Sequence, residues 1–74
     1  MKRWEYREVV WQPAETMVTT CSDGKEPTTK AYPSEQWYQI LAKLGGSGWE
    51  MVSNTASPVG VHEYYFYFKR ELEE

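Results

Sequence analysis

Seventy-four residues leave room for one domain, residues 1–74, and a chain this short buries only about 60% of the surface its unfolded form exposes. A formal charge of −3, with 8 Lys and Arg against 11 Asp and Glu, argues against a protein whose main work is holding a nucleic-acid backbone. Cys21 is the one cysteine, so no internal disulfide forms; the charged stretch Trp4–Glu8 is no signal peptide, no segment approaches a membrane span, and the expected location is cytoplasmic.

In chain order, residues 3–12 are rich in Trp, Tyr and Val, end at Pro13 and predict a strand. Strict alternation puts Glu8 on the face of Trp4, Tyr6 and Val10, so a β-bulge near Glu8 is expected to move Val9 and Trp11 onto that face. The β-branched run Thr16–Cys21 predicts a second strand. Residues 22–31 carry turn formers without periodicity and predict a mobile loop.

Helix signals follow. Pro33 precedes Ser34, a good N-cap, and Glu35 places negative charge in the first turn. Trp37, Ile40, Leu41 and Leu44 recur at i, i+3, i+4 and i+7, so one apolar stripe predicts a helix over 34–44, with Gly45 at C′. After Gly45-Gly46-Ser47-Gly48, residues 49–54 predict a strand. The loop from Ala56 to Gly60 leads to the longest strand, His62 to about Arg70, with aromatics on both faces, as suits a central position. The expected fold is α+β: a four-stranded antiparallel sheet with one helix on one face, element order β-β-α-β-β and sheet order 16–21, 3–12, 62–70, 49–54.

Trp4-Glu5-Tyr6-Arg7, the helix end Leu41-Ala42-Lys43-Leu44-Gly45, Gly48-Trp49-Glu50-Met51-Val52 and the closing Lys69-Arg70 together resemble a family of small bacterial and phage proteins of unknown function. Its pattern is roughly Trp-Glu-Tyr-Lys, then Leu-Gly-x-x-Gly-Trp-Glu-Leu-Val, then Lys-Arg. The extra residue near Glu8 and the long polar segment 22–31 depart from it. The resemblance implies the fold and carries over no catalytic residue. Structural roles suffice for the shared pieces: Trp49 plugs the gap between helix end and sheet, and Lys69-Arg70 ties the sheet to Glu5 or Glu8.

No catalytic constellation emerges. His62 is the one histidine, it has no metal-ligand spacing to Cys21, and a His62/Cys21 dyad lacks a third orienting group. The glycine run follows the helix and faces no helix N-terminus, so no cofactor or phosphate cradle is expected. The helix-free face is the candidate binding surface: Tyr65, Tyr67 and Lys69, expected beside Arg7 or Glu5 and beside Val52 or Glu50. Lys2, Arg3, Arg7, Lys69 and Arg70 would make it a basic, aromatic platform in an acidic protein.

Four Trp, six Tyr and two Phe exceed what one small core hides. The expected function is a non-enzymatic, homo-oligomeric interaction module that takes a protein partner through this face. The alternative is a sequestering binder of a small anionic ligand such as a nucleotide, of the kind phages use against host signalling. Single-stranded nucleic acid is disfavoured by the net charge.

Overall fold

The computed structural model describes residues 3–22, 24–56 and 63–72. The start of the last predicted strand at His62, the turn Ser57-Pro58-Val59-Gly60 and the basic residue Lys2 lie outside the described residues. The elements are β1 (Trp4–Trp11), β2 (Thr16–Ser22), β3 (Thr28–Tyr32), a 3-10 turn (Ser34–Gln36), α1 (Trp37–Gly46), β4 (Glu50–Ala56) and β5 (Tyr64–Glu71). They form one antiparallel sheet in the order β3-β2-β1-β5-β4 with a single α-helix. The α+β class, the antiparallel pairing and the order of the four expected strands agree with the sequence reading. The fifth strand corrects it.

That strand, β3, takes up the end of the segment 22–31 read as a loop and extends to Tyr32. Thr28, Thr29 and Tyr32 are good strand formers, and β3 pairs with β2 from Thr16↔Tyr32 to Thr20↔Thr28. The reversal is made at Gly24, whose φ of 77° needs glycine, with the Lys25 amide donating to the Ser22 carbonyl at 3.1 Å. Periodicity failed as a signal because β3 is an edge strand: Thr28, Thr29, Lys30 and Ala31 are all exposed, so no apolar alternation is required.

The bulge expected near Glu8 is absent. β1 pairs with β5 in unbroken register from Trp4↔Glu71 to Trp11↔Tyr64, and with β2 from Glu5↔Ser22 to Trp11↔Thr16. Strict alternation therefore holds. Glu5, Arg7, Val9 and Trp11 face the helix side, and Trp4, Tyr6, Glu8 and Val10 face away. Glu8 needs no repair, since it stands on the helix-free face. The irregularity falls instead in β4, between Met51 and Ser53, at Val52.

The helix also shifts. Ser34 opens a 3-10 turn rather than capping α1, and its carbonyl accepts from Thr16 Oγ1 at 3.2 Å. α1 runs through Gly45 to Gly46, and Gly48, at φ 88°, is the residue in the left-handed region. The Trp49 amide then donates back to the Leu44 carbonyl at 3.0 Å, which turns the chain into β4. Because β3 and β4 are parallel and occupy opposite edges, this connection crosses the whole sheet, four inter-strand steps of about 4.8 Å each.

The core is small. Val9, which is fully buried, clusters with Val18, Leu44, Trp49 and Phe68, and Tyr32, Ile40, Leu41 and Phe66 pack against it. Of the predicted helix stripe only Leu44 is buried, and Trp37 stacks on Phe66 with centroids 6.2 Å apart at the margin.

One polar residue shares this interior. Glu5 is 8% exposed, and its Oε1 accepts from Arg70 Nε at 2.8 Å and from Arg70 Nη2. Its Oε2 accepts from Ser22 Oγ at 3.1 Å, and Arg70 Nη1 donates to the Ser47 carbonyl at 3.2 Å. The pair thus ties β1, β2, β5 and the end of α1 together, as the closing Lys-Arg was expected to do. Replacing Arg70 by Met strands the Glu5 carboxylate; the side chain of Arg70 is 39% exposed, which tempers the loss. Arg70→Met is expected to destabilise by about 2 kcal/mol in chemical denaturation, and adding Glu5→Gln to recover part of that, because the double variant buries no unpaired charge.

Candidate functional site

The helix-free face is built by alternation on the two central strands. Tyr65, Tyr67 and Lys69 of β5 stand opposite Val10, Glu8 and Tyr6 of β1. Lys69 is also opposite Glu50 of β4, and its Nζ lies 4.5 Å from the centroid of the Trp4 ring. Tyr6 is 53% exposed, while Trp4, Tyr65 and Tyr67 are half-buried. Trp4, Tyr6, Tyr65 and Tyr67 therefore share one face of the two central strands, interleaved with Glu8, Val10 and Lys69, with Met17 and Cys21 of β2 at its side.

Two residues expected here are elsewhere. Glu5 and Arg7 are on the helix side of the sheet, engaged with Arg70 and Trp49, and the structure does not bring them to Tyr65, Tyr67 and Lys69. Arg70 is on the helix side as well, so the expected basic cluster is divided between the faces. Without a bulge in β1, its odd and even residues cannot share a surface. Val52 is exposed at the irregularity of β4, outside the regular pairing with β5. Cys21 is exposed, and His62 lies outside the described residues.

Two phenols on this face are tuned by carboxylates. Tyr65 Oη donates to Glu63 Oε2 at 3.2 Å, the same oxygen that accepts from Gln12 Nε2 at 2.8 Å, and this bond raises the Tyr65 pKa above its ordinary 10.0. For Tyr67, partial burial comes first, then the negative charge of Glu8 and a hydrogen bond to it, and the direction is again upward.

The helix side is only partly covered. Toward β2 and β3 a cavity of about 340 Å³ opens beside α1, where Arg7, Gln39 and Lys43 meet Tyr32 and the apolar side chains of Val18, Ile40 and Leu44. It continues over Arg7, Val18 and Tyr32 into a second cavity of about 270 Å³ bordered by Thr20, Thr28 and Lys30. On the helix side, a separate apolar hollow of about 250 Å³ is lined by Trp11, Trp37, Tyr64 and Phe66.

Sequence reasoning missed both features. The alternation Thr28, Lys30, Tyr32, once seen as an edge strand, was the available signal for the first.

Arg7 is held at the mouth of these cavities from two sides. Its Nε donates to Thr20 Oγ1 at 2.9 Å, and its guanidinium stacks on the Trp49 ring 4.4 Å from the centroid. Arg70 lies over the same indole at 4.5 Å. Burial first, then the positive charge of Arg70, lowers the Arg7 pKa from its ordinary value, with Glu5 opposing.

No protein-family model, no curated protein and no solved structure matches the chain. Among the described residues no helix is long and apolar enough to cross a membrane.

The raised phenols give a pH signature. The folded state favours neutral Tyr65 and Tyr67, so their contribution to stability is fully present below the ordinary value of 10.0 and is lost as pH rises through the raised values. In an alkaline titration followed by ring NMR, both phenols are expected to ionise above 10.0. Glu8→Gln should lower Tyr67 more than Tyr65; a Tyr67 that titrates at or below the ordinary value contradicts the geometry.

Proposed function

We propose that this chain is a non-catalytic interaction module that pairs with a second copy of itself through the helix-free face of its sheet and, so assembled, presents a surface to a protein partner. The observation that carries this reading is the gathering of Trp4, Tyr6, Tyr65 and Tyr67 on one face of the sheet in a protein with a meagre core of its own. Among the described residues six apolar side chains are buried: Val9, Val10, Val18, Leu44, Trp49 and Phe68. A core in a chain of this size supplies only a few kcal/mol, which a partner would supplement, and its single cysteine forms no internal disulfide.

Charge on the face suits a two-fold arrangement. Lys69 shares it with Glu8, Glu50 and Glu71, so each copy offers both signs to the other. Area is sufficient too. A standard interface takes about 800 Å² from each partner, a modest part of a 5394 Å² surface. Tyrosines held rigid by a sheet add contact at little entropic cost, which is how aromatic side chains come to dominate interfaces. The resemblance to small phage and bacterial proteins is part of the same proposal, and it adds no chemistry to it.

Light scattering is the direct test. The wild-type protein is expected at twice the 8.7 kDa chain mass or more, and Tyr65→Ser/Tyr67→Ser is expected at the mass of one chain with its β-sheet circular dichroism intact. Tyr6→Ser, at the most exposed aromatic of the surface, weakens association without touching the core. A wild-type protein that stays monomeric at high concentration ends the reading.

A further inference from the structure

The cavities between α1 and the β2–β3 edge present an electrostatic oddity. In a protein of net charge −3, the side chains that border them include Arg7, Lys30 and Lys43 and not one carboxylate. Each cation arrives from a different element: Arg7 from β1, Lys30 from β3 and Lys43 from the last turn of α1. The ammonium groups of Lys30 and Lys43 make no hydrogen bond or ion pair among the described residues.

Arg7 is held more tightly and is left less satisfied. Stacking on Trp49 and the bond from Nε to Thr20 Oγ1 fix the plane of its guanidinium. Among the described residues its two terminal nitrogens have no hydrogen-bond partner, and they are not sealed from solvent. The nearby carboxylate of Glu5 makes its bonds to Arg70 and Ser22 and none to Arg7. A partly buried guanidinium with an open donor edge and no directly bonded anion is an arrangement that a ligand completes.

The remaining walls define the rest of that ligand. Tyr32 and Val18 are shared by the two cavities, with Ile40 and Leu44 across from them on α1. An aromatic ring and aliphatic side chains suit a flat organic ring, and Gln36, Gln39, Thr20 and Thr28 supply donors and acceptors around it. Cavities of about 340 and 270 Å³ that adjoin along these walls have room for more than an inorganic ion.

We propose that this groove binds a phosphate-bearing organic anion of mononucleotide size, with the phosphate on Arg7, Lys30 and Lys43 and the ring against Tyr32. The site lies on the opposite side of the sheet from Tyr65 and Tyr67. It is independent of the self-association proposed above.

The test is calorimetry on the full chain with adenosine monophosphate, inorganic phosphate and adenosine, supported by NMR shifts with guanosine, cytidine and uridine monophosphates. A nucleoside monophosphate is expected to bind more tightly than phosphate alone, and adenosine not to bind. Lys30→Gln/Lys43→Gln removes two exposed cations without disturbing the core, and is expected to weaken binding about ten-fold or more while the circular dichroism melt and the oligomer mass stay unchanged. Arg7→Gln should abolish binding; since it also leaves Trp49, the lysine variant decides if Arg7→Gln fails to fold. Four monophosphates that leave Tyr32 unshifted at millimolar concentration overturn the proposal, as does undiminished affinity in the lysine variant. Phosphate binding as tightly as the nucleotides overturns the assignment of Tyr32 to a ring.

Discussion

The structure depends on what happens around one indole. Trp49 follows the left-handed residue Gly48, is buried at the end of α1, and carries the guanidinium groups of Arg7 and Arg70 over its ring. Two like charges at one aromatic surface repel each other, and the arrangement persists because Glu5 takes the donors of Arg70 while Thr20 takes the Nε of Arg7. The same few residues join β1, β2 and β5 to the helix. A core with so few apolar side chains has its polar and aromatic parts fused, since each needs the other to be satisfied.

From that junction the two sides of the sheet diverge. The helix side holds the core in the middle, with a cationic groove toward β3 and an apolar hollow lined by Trp11, Trp37, Tyr64 and Phe66. The other side is tyrosine-rich and mixed in charge. One short helix, shorter than the sheet is wide, cannot blanket five strands, so even its own side retains concave surface where ligands are ordinarily bound.

The sequence was informative where apolar side chains recur with a clear period or density. The stripe Trp37, Ile40, Leu41, Leu44 located the helix, and the aromatic density of β5 located a central strand. The reading went wrong where burial makes no demand. β3 is exposed along almost its whole length, so Thr28–Tyr32 looked like loop, and with it went Lys30 and Tyr32 of the cationic groove. The bulge near Glu8 was invoked to keep a carboxylate out of a core that lies on the other side. The residue that is buried is Glu5, and nothing local distinguishes the two: Glu5 is accommodated by Arg70, 65 positions away. Because the phase of β1 was misjudged, Arg7 and Glu5 were assigned to the wrong surface, whereas Tyr65, Tyr67 and Lys69 were assigned correctly to the side away from the helix.

The pairing of β1 with β5 places the earliest and latest strands of the described chain side by side in the middle of the sheet. A nascent polypeptide therefore holds the β1–β2–β3 meander and α1, with β4 lacking its pairing partner and the core lacking Phe66 and Phe68, until β5 has been made. Until then Trp4, Val9 and Trp11 lie along an unfinished border. Non-local pairing of this kind slows folding, and it leaves apolar surface and an open strand edge exposed for as long as β5 is missing.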